Sequence, residues 1–162
     1  MNRRFFLVGF AAVFGFGVPA EAAETLGEDD VRQAVEIIRN LYAEAGLVQN
    51  MEPTGLDKAK QLFALEPYMA SALWRIVSKT PLEEDLLGMQ DTAAVVENVV
   101  PAPGYPIIRN RVIVRAHIGG QQGTTLRQFS LDRREADTPL RITDIESADW
   151  SLRGLLIKLN SQ

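Results

Sequence analysis

Ile108-Arg109-Asn110-Arg111-Val112-Ile113-Val114-Arg115-Ala116-His117-Ile118 is the passage that decides the fold. Apolar and charged residues alternate along it, the period-2 spacing of a strand with one buried face. Ile108, Val112, Val114, Ala116 and Ile118 are expected to face one way, and Arg109, Arg111, Arg115 and His117 the other. Gly119-Gly120-Gln121-Gln122-Gly123 then closes a hairpin, and Thr124 to Arg133 returns as the next strand. A polar turn leads to a last strand, Leu140 to Glu146. A short helix ends the chain, with Leu152, Leu155, Leu156 and Leu159 in one stripe and Ser151 as its cap.

Working backwards, Ala93 to Val100 is rich in β-branched residues and predicts another strand. Pro101-Ala102-Pro103-Gly104-Tyr105-Pro106 separates the two as a turn segment that no central strand could hold. Before Asp91 the period changes to 3.6. Glu28-Asp29-Asp30 suit a helix start, where the dipole favours acids. Val31, Val35, Ile38, Tyr42 and Ala45 follow at helical spacing, with Gly46 as a natural stop. A second helix is expected after Thr54-Gly55, its stripe of Leu56, Ala59, Leu62 and Phe63 ending at Pro67. Met69, Ala72, Leu73, Ile76 and Val77 form a third stripe, ending near Lys79-Thr80-Pro81. Helices first and hairpin-linked strands afterwards predict an α+β fold, with helices packed on one face of a curved antiparallel sheet. Strong curvature would make that layout a cone with a pocket between sheet and helices.

The first 22 residues read as a cleavable export signal. Arg3 and Arg4 open it, Phe5 to Val18 carries no charge, and Ala20-Glu21-Ala22 predicts cleavage before Ala23. The apolar run is too short to span a bilayer, which takes about 20 residues. Arg3-Arg4-Phe5-Phe6-Leu7 also resembles the twin-arginine export signal, although its charged start is very short. Removal of residues 1–22 would leave residues 23–162 as a single domain in the periplasm or outside the cell. With no cysteine, that domain has neither a disulfide framework nor a cysteine-linked lipid anchor. Its apolar core must hold it together. The chain's net charge of −4 disfavours nucleic acid and anionic membranes as partners.

Several short motifs, in order, carry a family resemblance. They are an early helix reaching Leu41-Tyr42, then Gly88-Met89-Gln90-Asp91 before the strands, then Leu140-Arg141-Ile142-Thr143-Asp144-Ile145, and finally Ser151-Leu152-Arg153. In this order they resemble a bacterial exported domain-of-unknown-function family of the nuclear-transport-factor-2-like, ketosteroid-isomerase-like cone superfamily. Leu140 departs from the pattern, because that family usually carries tryptophan there. The resemblance implies the cone and a pocket inside it; the family has no established common activity.

The pocket candidates are Tyr42, Trp74, Asp91 and Asp144. Asp144 shares strand parity with Leu140 and Ile142, which predicts a carboxylate on the apolar side. Such a group must be hydrogen-bonded, paired or protonated. In isomerase-like relatives of the cone an acid in the pocket acts as general base. The plain alternative is that Asp91 caps a turn and Asp144 ties the strand to the last helix. Tyr42, Trp74 and Phe63 have apolar neighbours, and aromatics at such spacing are more often core than pocket wall.

Arg109, Arg111, Arg115 and His117, joined by Arg127 on the next strand, form an alternative face able to hold a carboxylate or phosphate. Charge that keeps an exposed sheet solvated explains the same pattern. One histidine and no cysteine make no ordinary metal site. No phosphate loop, cofactor fingerprint or nucleophile triad is present, so no residue is assigned a catalytic role and no cofactor is implied. The leading expectation is therefore an exported binding or interaction domain for a small molecule or a protein. A cofactor-free lyase, isomerase or hydrolase using Asp91 or Asp144, and an immunity- or inhibitor-type partner of a secreted protein, stay open beside it.

Overall fold

A computed structural model describes residues 25–50, 57–133 and 138–161, with backbone alone at 47–50. The export signal and the Thr54-Gly55 helix start lie outside the described residues. The architecture is α+β, helices and a five-stranded antiparallel sheet. Among the described residues no helix is long and apolar enough to cross a membrane.

Helix α1 (Glu28–Asn50) opens with three acids in its first turn. It runs through Gly46 instead of stopping there. A glycine inside a helix costs only about 1 kcal/mol relative to alanine and does not by itself end one. Ala34, Val35, Ile38, Leu41, Tyr42 and Ala45 form its buried face. Helix α2 (Lys58–Leu65) is capped by Asp57, whose carboxylate accepts from the Lys60 amide. As expected, Pro67 breaks the helical run, here as a 3-10 turn (Glu66–Tyr68) before α3 (Ser71–Val77).

The strands are β1 (Val95–Pro101), β2 (Ile107–Ile108), β3 (Arg111–Gly120), β4 (Gly123–Asp132) and β5 (Arg141–Glu146). They lie in the order β1-β3-β4-β5, with β2 paired to the start of β3. The passage read as one strand is thus a tight hairpin. Arg109 and Asn110 both have positive φ, 50° and 58°, and turn the chain between β2 and β3. Two-residue hairpins need that left-handed backbone because its twist matches the flanking strands.

Val112, Val114, Ala116 and Ile118 do share a buried face, opposite Leu131, Phe129, Arg127 and Thr125. Arg127 is therefore on the core side, not on the arginine face. Alternation counted back from Phe129 and Leu131 puts it there. Helix α1 packs across β3 and β1, and one buried cluster draws on all four helices and on β1, β3, β4 and β5. Leu140, where the resembled family carries tryptophan, is fully inside that cluster. The last helix, α4 (Leu152–Leu159), is capped by Ser151, as expected. Its buried stripe is narrower than predicted. Leu152 and Leu156 are buried, Leu155 is half-buried and Leu159 is exposed.

Candidate functional site

A cleft of about 310 Å³ lies where α1 passes β1. Small residues create it. Ala43 and Gly46 sit one turn apart on the helix and Ala94 precedes the strand, so at these described positions the two elements meet without large side chains to fill the gap. A β-bulge between Val96 and Asn98 shapes the opposite wall. Glu97 is the extra residue, so Val96 pairs with Ile118 and Val99 with Ala116, both facing the helix although three apart. Tyr42 and Met89 complete the apolar lining.

Among the described residues, Arg39 is the one ionic side chain lining the cleft. Its Nη1 donates to Glu36 Oε1 at 2.9 Å, and its Nη2 reaches the Val99 carbonyl at 3.4 Å.

A buried polar network fixes the Tyr42–Met89 part of this lining. The Tyr42 hydroxyl donates to the Leu87 carbonyl at 2.9 Å, and its ring meets Phe129 edge-on, with centroids 6.0 Å apart. Burial pushes that hydroxyl's pKa far above the ordinary tyrosine range, so Tyr42 is a neutral donor. Gln61, buried on α2, accepts from the Leu87 amide and donates to Asp85. The Asp85 carboxylate also accepts from the Met89 and Gln90 amides. Arg127 donates from Nε and Nη2 to the Asp85 carbonyl, from Nε to the Leu86 carbonyl, and from Nη1 to Ser147 Oγ. Its guanidinium lies 5.3 Å from the Trp150 ring centroid. Desolvation lowers its pKa, yet an arginine starts so high that it stays charged. Gly88, at φ 73°, lets the segment turn tightly inside this cage.

The four pocket candidates do not come together at this cleft. Tyr42 lines the cleft; Trp74, Asp91 and Asp144 do not. Trp74 is half-buried against the core. Asp91 bridges two turns, accepting from the Ala93 amide at 2.9 Å and the Gln121 amide at 2.8 Å. Gly120 lets it approach, since a Cβ there would lie 2.8 Å from Asp91 Oδ2. Those two amides hold the Asp91 pKa below the usual carboxylate range. The support they give is complete above the unfolded pKa and is lost only as pH falls through the lowered folded value.

Asp144 is not on the apolar side. A bulge at Ser130/Leu131 pairs it with Ser130 while Ile142 and Ile145 keep their places opposite Leu131 and Phe129. One irregular step reverses the face that simple alternation assigns. Its Oδ1 accepts from the Ile145 amide and from the Arg153 amide in the first turn of α4. The carboxylate is a second cap on that helix, beside Ser151. Asp144→Ala would leave two largely buried amides without acceptors, each costing about 1–3 kcal/mol. A loss of about 2–4 kcal/mol in urea melts is expected, and a change below 0.5 kcal/mol would show that the cap carries no weight.

The arginine face divides. Arg115 donates through Nε to Gln128, which donates to Glu146, a ladder across three strands. His117 stands opposite Leu126 and Asn98 on the outer face. Arg109 and Arg111 lie away from both, at the sheet end, beside Arg133 and Arg153. Gln61, Asp85 and Arg39 were missed by sequence reasoning, because their roles depend on partners far along the chain. Among the described residues, no three of His, Asp and Glu gather in a way that could hold a metal ion. No protein-family model, curated protein or solved structure matches the chain.

Proposed function

We propose that residues 23–162 form an exported, non-catalytic binding domain that holds a small amphipathic carboxylate in the cleft between α1 and β1. The observation that carries this reading is an apolar cleft of ligand size with Arg39 as the only ionic group among its described lining residues. An apolar body would displace water from Val96, Val99, Ala43 and Met89, and a carboxylate would meet the guanidinium. The cage around Asp85 favours a preformed lining, which lowers the ordering cost of binding. Both acids considered as general bases already accept backbone amides, which leaves the binding reading ahead of the enzymatic one. Helices laid over an antiparallel sheet also suit the nuclear-transport-factor-2-like cone, to which we assign the chain.

Titration calorimetry with octanoate and octan-1-ol tests the reading on protein taken from the periplasm, which should begin at Ala23. Octanoate should bind more tightly than the alcohol, Arg39→Gln should remove the difference, and Ala43→Phe should abolish both without lowering stability. Unchanged octanoate binding by Ala43→Phe would reject the cleft, and cytoplasmic protein retaining Met1 would reject export.

A further inference from the structure

At the opposite side of the sheet from the bulge in β1, the N-terminal end of β3 and the C-terminal end of β4 border a second groove of about 430 Å³. Arg109 and Arg111 reach it from the β2–β3 hairpin, Arg133 from the residue after β4, and Arg153 from α4. These three parts of the chain are joined by no local sequence relationship, so the fold itself brings the guanidinium groups together. Arg111 Nε stands 3.8 Å from Asp132 Oδ2, a loose pair, and Arg133 Nη2 donates to Asp30 at 2.5 Å. Arg109 and Arg153 reach the groove with no carboxylate of the described residues against them, in a chain whose net charge is −4.

Arg109 is the telling residue. It occupies the left-handed region at φ 50°, where glycine, asparagine or aspartate is the usual occupant. It is exposed and makes no hydrogen bond or ion pair with another described residue. The hairpin turn sets that backbone, and the side chain that it presents at the groove's lip is a cation with no internal partner among the described residues. Arg153 is fixed differently, its Nε donating to the Thr143 carbonyl at 3.0 Å, which aims the group without neutralising it.

We propose that this groove is an anion site for a small polycarboxylate. Guanidinium forks match carboxylates in planar, two-point fashion. At ~30 Å³ per water the groove has room for roughly fourteen water-sized volumes, which suits a compact molecule with two or three carboxylates better than a single monovalent ion. Cations arriving from separate elements fit charges distributed over such a molecule. Asp132, among the arginines, can accept from a hydroxyl on the same ligand. The site is independent of the α1–β1 cleft and stands whether or not that cleft binds anything.

Titration of the periplasmic protein with citrate, inorganic phosphate and acetate in low-salt buffer free of other carboxylates tests it. Citrate should bind at least tenfold more tightly than phosphate or acetate, and raising the salt to physiological strength should weaken it severalfold. Arg109→Asn should weaken citrate at least fivefold while leaving the melting temperature level or higher, since asparagine suits the left-handed backbone. Arg109→Asn with Arg153→Gln should remove binding, and Arg115→Gln, on the outer ladder, should leave it unchanged. No citrate binding at low salt, phosphate binding as tightly as citrate, or equal affinity in Arg109→Asn would each overturn the proposal.

Discussion

Arg127→Met is expected to destabilise the protein by about 2–4 kcal/mol. Two effects oppose each other at this position. Removing the guanidinium relieves a buried charge of its desolvation, and replacing buried ionic groups by apolar ones is often neutral or favourable. It also strips the Asp85 and Leu86 carbonyls of their donor, along with Ser147. The Leu86 carbonyl is left buried and unpaired at about 1–3 kcal/mol; the Asp85 carbonyl keeps only the Gly88 amide, and the contact with the Trp150 ring, about 0.5–2 kcal/mol, goes as well, so the loss wins. Arg127→Lys should recover little, because an ammonium cannot span the same carbonyls as a fork. Urea melts measure the loss. Hydrogen exchange at the Met89 and Gln90 amides should quicken in the same variant, because the segment that Arg127 clamps also carries those two bonds. A stabilised Arg127→Met would mean that desolvation dominates and that Asp85, Gln61 and Tyr42 suffice to hold the 85–90 segment.

Phe129→Ala should cost about 3–5 kcal/mol, the range for emptying a fully buried aromatic site. The edge-on contact with Tyr42 belongs to that loss, so Phe129→Ala should also loosen the Tyr42 bond to the Leu87 carbonyl. Against a domain stability of about 5–15 kcal/mol this is a large fraction, and the urea midpoint should fall with little change in slope. Phe129→Leu, which keeps most of the volume, should cost far less. A loss below 1 kcal/mol for Phe129→Ala would show that the ring is not at the centre of the core.

The α+β class was legible because period is a strong local signal. Val112 to Ile118 alternate, Val31 to Ala45 repeat at helical spacing, and both patterns survive folding. What escaped were the places where one residue breaks a rule without announcing it. Asn-Gly would have declared the β2–β3 turn; Arg109-Asn110 does not, so the hairpin read as continuous strand. The bulge beside Ser130 has no composition of its own, yet it moves Asp144 to the other face. Arg127 looked like a solvated arginine because its acceptors are backbone carbonyls about forty residues upstream. The two acids were readable as turn cap and helix tie, and their hydrogen bonds have that form. The cleft could not be read at all, since it arises from what Ala43, Gly46 and Ala94 leave unfilled.

The bulge in β1 also bears on how the protein avoids associating with itself. An edge strand offers a row of backbone groups to any passing chain and is a standing invitation to sheet-by-sheet aggregation. At the other edge Ile142 already pairs with Met69, and its carbonyl accepts from the Ala70 amide. Along β1, an incoming strand would lose register at Glu97, find the Val99 carbonyl already engaged by Arg39, and meet no amide hydrogen at Pro101. The same irregularity that shapes the wall of the cleft therefore blunts the edge most open to another chain.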